Sequence, residues 1–479
     1  MSAPRHAVSG GILRTLAAPG HDVTRVPAVV VSAPASGSGK TTVATGLIGA
    51  LRQVGHTVAP FKVGPDFIDP GYHTLAAGRP GRNLDPVLVG ETLIGPLYAH
   101  GAAGADIAVI EGVMGLFDGR ISEAATAAAA GSTAHVAGLL GAPVVLVVDA
   151  RGQSHSIAAL LHGFSTFDTT TRIAGAILNR VGTARHEQVL RQACERVGVA
   201  VLGAIPRTAE LELPTRYLGL VTAVEYGGRA LSAVNAMTAL VARHVDLAAV
   251  IGAAGSTAAA PPWDPETAVG EAAGPRPTVA MAAGKAFSFG YAEHAELLRA
   301  AGAEVVEFDP LVDPLPDGTG AVLLPGGFPE QFAAELSGND VVRRQIAELA
   351  AAGAPVHAEC GGLTYLVSEL DGYPMCGVLA GSARFTQHLT LGYRDAVAVA
   401  DSALYSAGQR VVGHEFHRTA ITFTDNYQPA WIYRGQDEAA HDGVVHTGVH
   451  ASYLHTHPAA KPDALARFVA HAAATKLGG

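Results

Sequence analysis

Short apolar runs alternate with longer helix-like stretches along most of the chain. Pro27–Ala33 (PAVVVSA) is apolar and rich in β-branched residues, which predicts a buried strand. Thr41–Val54 reads as a helix, with Gly55 placed to end it. Ile107–Glu111 (IAVIE), Pro143–Asp149 (PVVLVVD) and Ile173–Leu178 (IAGAIL) predict further strands. Buried strands separated by helices imply a parallel sheet covered on both faces. The pattern breaks at Ala248–Pro277, whose Ala, Gly and Pro make a poor core and a good linker. Alternation then resumes at Thr278–Ala282, Glu304–Phe308, Ala321–Leu324 and Pro355–Ala358. The expected organisation is an extension over residues 1–26 that is small, polar and flexible. An α/β domain over 27–247, a linker over 248–277 and a second α/β domain over 278–479 follow it. There is no internal repeat and no coiled coil.

The 479 residues and 49% hydrophobic content allow two sizeable cores. A formal net charge of -10 excludes a basic face for nucleic acid or an anionic membrane, so any phosphate must be held by local backbone and a few cations. Three cysteines, Cys194, Cys360 and Cys376, form neither a disulfide framework nor a zinc site. That fits a reducing cytoplasm. No apolar run approaches the roughly 20 residues that span a bilayer, and the first 25 residues lack the apolar stretch of a secretion signal.

Ser36-Gly37-Ser38-Gly39-Lys40-Thr41-Thr42 follows the first strand and opens a helix. Small residues let backbone N–H groups curl round phosphate oxygens, and the helix N-terminus adds its dipole. Lys40 can reach the outer phosphates of ATP and Thr41 can ligate magnesium. The usual loop begins with Gly six residues before the Lys. Here that position is Pro34, which points to a longer variant of the loop. Two acidic stretches accompany it: Lys62–His73 (KVGPDFIDPGYH) and Ile110–Gly119 (IEGVMGLFDG). Glu111 ends a strand, as a magnesium-binding carboxylate should. Asp66, Asp69 and Asp118 fit either ligand binding or loop capping. Asn179 ends another strand, where it could read adenine or cap its loop.

Pro355–Leu366 (PVHAECGGLTYL) reads strand, sharp turn, helix, with Cys360 at the turn. A helix N-terminus lowers a thiol's pKa, so a ready thiolate is expected. The N–H of Gly361 and the loop Pro325–Glu330, through Gly327, offer oxyanion donors. Cys194 and Cys376 lack such surroundings. Of the C-terminal histidines, His455 in Ser452-Tyr453-Leu454-His455 is the candidate base. His414, Glu415 and His417 are too rich in ionisable groups for a plain strand, and substrate contact is the only role they suggest.

With both motif sets in view, the chain resembles the cobyrinate/hydrogenobyrinate a,c-diamide synthase family of cobalamin biosynthesis from about Pro27 onward. The marks are the Ser-Gly-Ser-Gly-Lys-Thr-Thr loop, Lys-Val-Gly-Pro-Asp-Phe-Ile-Asp-Pro, Glu-Gly-Val-Met-Gly-Leu-Phe-Asp-Gly, Pro-Gly-Gly-Phe-Pro-Glu, Ala-Glu-Cys-Gly-Gly-Leu and Ser-Tyr-Leu-His. The resemblance implies a dethiobiotin-synthetase-like ATP domain followed by a flavodoxin-like class I glutamine amidotransferase domain. It implies that Cys360 attacks glutamine with help from His455. ATP would be held by Gly37, Ser38, Gly39, Lys40, Thr41, Thr42 and Asn179, with magnesium on Thr41, Asp66 and Glu111. The corrinoid would meet Asp66, Phe67, Ile68, Asp69 and Asp118. Thr456 and His457 follow His455 where ordinary class I amidotransferases have Pro and Glu, so the third member of the nucleophile site is missing at that spacing. The implied partners are glutamine, a corrinoid and, as a homodimer, a second copy. Cobyric acid synthase and a nickel-sirohydrochlorin a,c-diamide synthase are the neighbouring readings. A partition-type ATPase would not need Cys360 and His455.

Overall fold

The computed structural model describes residues 25–121, 128–207, 215–216, 219–271, 275–435 and 438–475, so most of the expected N-terminal extension lies outside the described residues. Seven strands form the first sheet: β1 (Ala28–Ser32), β2 (Val58–Val63), β3 (Arg82–Leu84), β4 (Ile107–Glu111), β5 (Val144–Asp149), β6 (Ile173–Val181) and β7 (Val201–Pro206). Their order is β3-β2-β4-β1-β5-β6-β7, and every pairing is parallel. All residues of β1, β2 and β4 are buried, as continuous apolar strands covered on both faces should be. Helix α1 (Lys40–Gln53) leaves the carboxyl end of β1, which lies between β4 and β5. Ligands bind at that edge in open parallel sheets. Helix α2 (Asp69–Ala77) follows β2. A two-residue pair, β8 (Thr215–Arg216) and β9 (Gly219–Leu220), lies beyond the sheet.

The stretch expected as a linker is more ordered than its composition suggests. It carries helices Leu247–Ala253 and Pro265–Val269. Trp263 is buried there, edge-on to the ring of His100 at 5.2 Å. One aromatic and a few backbone bonds, such as Ala28 N–H to Gly255 O at 3.3 Å, are enough to lay it along the first sheet.

The second half contains two sheets. One is formed by β10 (Thr278–Ala282), β11 (Glu304–Phe308), β12 (Thr319–Leu324) and β13 (Val356–Glu359). The other is formed by β14 (Val367–Leu370), β15 (Tyr373–Pro374), β16 (Leu379–Ala398), β17 (Arg410–Phe423), β18 (Trp431–Arg434) and β19 (Ala439–Asp442). β20 (Val444–His446) and β21 (Val449–Ser452) complete the first of these sheets, in the order β11-β10-β12-β13-β21-β20, and β22 (His455–Thr456) completes the second. The long hairpin of β16 and β17 was not legible in the sequence. Its 20 and 14 residues alternate buried and part-exposed positions interrupted by charges. A register shift between Phe385 and Thr390 bends it. His414, Glu415 and His417 lie in β17, so the segment judged too polar for a plain strand is a strand.

Candidate active site

Gly39 sits at the start of α1 with φ 97°, a left-handed conformation that glycine adopts without strain. A Cβ there would lie 2.3 Å from Asn179 Nδ2. Asn179 Nδ2 donates to Ser38 O at 2.9 Å, and Arg180 Nη1 donates to Gly37 O at 2.9 Å. Asn179 thus braces the loop backbone from the end of β6. Arg180 is itself held by Asp149 Oδ2 at 2.6 Å. Lys40 donates to the carbonyl of Met114. Burial and the neighbouring Lys62 charge lower its pKa. Thr42 is half-buried in the first turn of α1.

Lys62 and Glu111 are cross-strand partners at the ends of β2 and β4. Lys62 Nζ lies 2.6 Å from Asp69 Oδ2 and 3.1 Å from Glu111 Oε1. Thr41 Oγ1 donates to Glu111 Oε1 at 2.7 Å, and His73 Nε2 meets Glu111 Oε2 at 2.7 Å. Burial alone would push the Glu111 carboxyl up. The Lys62 charge and the bonds from His73 and Thr41 outweigh it and hold the group well below the usual carboxylate range. Asp69 is pushed well above that range by burial and by the charges of Asp66 and Glu111. The two acids that share the Lys62 ammonium are thus shifted in opposite directions.

The oxygens of Thr41, Glu111 and Asp69 suit a hard cation such as magnesium. Among the described residues no group of three or more His, Cys, Asp or Glu forms a metal cage. Magnesium needs none, since it is usually held by one or two side chains plus phosphates and water. Asp66 is placed differently from its expected metal role. Its Oδ1 accepts from the N–H groups of Ile68 at 2.7 Å and Asp69 at 3.1 Å, which caps the start of α2. Asp69, not Asp66, comes within 3.3 Å of Thr41. Asp118 likewise accepts from its own loop, at Gly115 N–H, 3.0 Å away.

Cys360 follows β13 with φ 50° and ψ -104°, a strained backbone for a residue with a side chain. Its N–H donates to Ser452 O at 2.7 Å, tying the turn to the end of β21, and His455 stands three residues further on. A Cβ on Gly361 would lie 3.0 Å from Gly327 N, so the backbones of the two glycines expected as oxyanion donors run close together. The surroundings of the thiol oppose the thiolate that a helix N-terminus favours. Burial, together with the charges of Glu330, Glu359 and Asp442, pushes the Cys360 thiol well above its ordinary range. The helix after it has only six residues, Gly361–Leu366, and its dipole does not compensate.

His455 is fully buried on β22, opposite His414. Its Nδ1 lies 3.7 Å from Glu359 Oε2. Glu359 Oε1 accepts from the N–H and Oγ1 of Thr456 at 3.0 and 2.9 Å. His357 Nε2 approaches the same oxygen at 3.5 Å. Burial alone would raise the Glu359 carboxyl, but His357 and His455 hold it well below the usual range. A carboxylate thus stands behind the histidine, supplied by the residue just before the nucleophile. The adjacency in Ala-Glu-Cys was the available signal, hidden because the acid was sought after the histidine.

The two halves meet over these groups. Phe67 stacks on Phe289 at 5.3 Å and lies 5.0 Å from the His455 ring. A cavity of ≈ 650 Å³ opens between them, lined from one side by Asp66, Phe67, Ile68 and Arg120 and from the other by Tyr393 and Phe416, among others. Arg394 also reaches it. Neither arginine stood out in the sequence: Arg120 lies just past the Ile110–Gly119 stretch, and Arg394 lies in a stretch with no recognisable pattern.

Residues 29–220 match the CobQ/CobB/MinD/ParA nucleotide binding domain, and residues 278–463 match the CobB/CobQ-like glutamine amidotransferase domain. The chain is 83% identical over 450 residues to the hydrogenobyrinate a,c-diamide synthase of Mycobacterium tuberculosis (strain ATCC 25618 / H37Rv), covering 94% of this chain and 98% of the relative. It is 55% identical to the protein of that name from Streptomyces coelicolor, over 93% of this chain and 97% of the relative. It is 38% identical to the cobyrinate a,c-diamide synthase of a Synechococcus strain, over 92% and 97%. A nucleotide binding domain followed by a glutamine amidotransferase domain, in a chain matched almost end to end by these relatives, places it in the hydrogenobyrinate and cobyrinate a,c-diamide synthase family.

Proposed function

We propose that this protein amidates the a and c carboxylates of hydrogenobyrinate, using ATP to activate each acid and glutamine to supply the nitrogen. The observation that carries the reading is the interdomain cavity with Asp66 and Phe67 at one wall and Phe416, which accepts from the Cys360 thiol, at the other. Arg120 gives that cavity a cation suited to a ring bearing several carboxylates.

A carboxylate resists ammonia because hydroxide leaves poorly. Transfer of the γ-phosphoryl group of ATP to the carboxylate oxygen gives an acyl phosphate and ADP. Attack by ammonia then releases phosphate and leaves the amide. Lys40 would sit against the transferred phosphoryl group, with the loop N–H groups from Gly37 to Thr42 around the remaining phosphates. Magnesium, held by Thr41, Glu111 and Asp69, would supply charge neutralisation there.

At the other site the Cys360 sulfur attacks the glutamine amide carbon while His455 takes the thiol proton. His455 returns that proton to the departing ammonia, and water hydrolyses the thioester to glutamate. Gly327 and Gly361 N–H groups would receive the developing oxyanion. Glu359 would orient His455 and stabilise its charged form. Phe67, Phe289 and Phe416 line a short apolar route that keeps ammonia unprotonated between the two centres.

The relatives sharing 83% and 55% identity carry the hydrogenobyrinate name, which favours the cobalt-free ring. Parallel reactions with hydrogenobyrinate and cobyrinate, followed by mass spectrometry, test this. Faster diamide formation on hydrogenobyrinate is expected, and faster turnover of cobyrinate would reassign the substrate.

A further inference from the structure

The strand segment His414–His417 lies between two cavities. Its alternate side chains face opposite ways, as a strand requires. His414 and Phe416 line the interdomain cavity of ≈ 650 Å³. Glu415 and His417 line a second cavity of ≈ 970 Å³, which also takes in Leu363 and Tyr453. Leu363 lies in the short helix that starts directly after Cys360, and the Cys360 thiol contacts the carbonyl of Phe416, the neighbour of Glu415, so the second cavity comes close to the nucleophile. Its outer rim includes the exposed residues His388 and Arg434, so it opens to solvent. One wall thus separates a solvent-fed chamber at the thiol from the chamber of the acceptor.

Glutamine must place its amide carbon at the Cys360 sulfur. Its α-carbon then lies three bonds of about 1.5 Å away, so the groups that read the amino-acid end must stand close to the thiol. The Cys360 thiol donates to Phe416 O at 3.8 Å, and Glu415 is the adjacent residue, facing the second cavity. Glu415 is buried. It accepts from Tyr433 Oη at 3.1 Å and pairs with Arg394 Nε at 2.6 Å. A zwitterion's ammonium and carboxylate match a buried acid and cation held side by side. Of the two other acids of the cavity, Asp425 is exposed, and Asp442 is engaged by Ser452 Oγ at 2.6 Å and Tyr453 N–H at 3.1 Å, where it shapes the loop before His455. Burial pushes the Asp442 carboxyl up. Burial acts the same way on Glu415, but His417 and Arg394 keep it below the usual range and therefore anionic.

We infer that Glu415 is the specificity residue for the nitrogen donor, binding the α-ammonium of glutamine in the second cavity with Arg394 beside it for the α-carboxylate. This rests on the reading of glutamine as donor.

The test compares L-glutamine with glutaramate, the same amide lacking the α-amino group, as substrates for hydrolysis by the full-length protein. The wild type should prefer glutamine by at least about a hundredfold in kcat/KM, because the analogue leaves a buried acid without its partner. Glu415→Gln should lower kcat/KM for glutamine by a similar factor, chiefly through KM, and change glutaramate less than about threefold. Glu415→Asp keeps the charge, withdraws it by one methylene and should give an intermediate preference. Equal losses on both substrates in either variant would overturn the assignment and leave glutamine as donor. Absence of any glutamine hydrolysis by the wild type would instead remove the parent reading.

Discussion

At Cys360 two demands oppose each other. Ammonia must be made out of contact with water, so the thiol is buried, and burial pushes its pKa up. The nucleophile therefore depends on a base that acts when glutamine arrives. In the mechanism we propose His455 fills that role, and Glu359 stands behind it at 3.7 Å. Replacing Glu359 by Gln should lower the kcat of glutamine hydrolysis by roughly a hundredfold, with KM little changed. Glu359 also holds Thr456, so a purely structural role must be separated from support of the base. Thr456→Ala deletes the side-chain bond and leaves the carboxylate by His455. It should cost less than about tenfold. Steady-state glutaminase assays on the pair decide the point, and equal losses would make Glu359 a loop anchor only.

The elements that place these residues were legible to very different degrees. A strand such as β4 could be read to the residue, because a strand buried on two faces is a continuous apolar word with a polar end. The P-loop and the elbow were legible because each needs small residues at fixed places. β16 and β17 were not, because some of their polar positions, such as Glu415 and His417, line a cavity rather than face solvent. Apolar alternation fails when the partner of a side chain is a ligand. Glu359 was missed for a related reason: its partner lies 96 positions away in sequence, at His455. The loop carrying Gly326 shows how tightly these elements meet. A Cβ at Gly326 would stand 2.3 Å from His455 Cε1. Gly326→Ala should displace the imidazole and reduce glutaminase turnover by roughly a hundredfold or more, while synthesis from added ammonium persists. A variant with unchanged glutaminase kcat would remove His455 from the mechanism.

On the scale of the whole molecule the question is what keeps two catalytic units in register. Arg82 bridges Glu293 at 2.6 Å and also pairs with Glu296 across the halves. Phe67 stacks on Phe289 over the site. Asp85 caps the helix Pro86–Val89 and receives the Tyr393 hydroxyl at 2.8 Å from the opposite half. Burial raises the Asp85 carboxyl from 3.8 to about 6, against the pull of Tyr393 and the backbone N–H groups. In this case the folded form holds its proton more tightly than the unfolded chain. The linked stability is full below the unfolded value and is lost as pH rises through about 6. The loss amounts to about 3 kcal/mol. Asp85→Asn cannot titrate, so the Tm of the wild type relative to this variant should fall between about pH 4 and pH 7. A pH-independent difference would place Asp85 in a more solvated setting than its burial implies.

The central claim is that nitrogen freed at Cys360 reaches an ATP-activated carboxylate in the other half of the same molecule. It is tested most directly by supplying hydrogenobyrinate, ATP, magnesium, glutamine labelled with 15N in its side-chain amide, and excess unlabelled ammonium, then reading the product by mass spectrometry. The wild type should make a diamide with 15N at both new amides, and Cys360→Ala should make the diamide with unlabelled nitrogen only. Unlabelled amides from the wild type, or labelled ones from Cys360→Ala, would contradict the account.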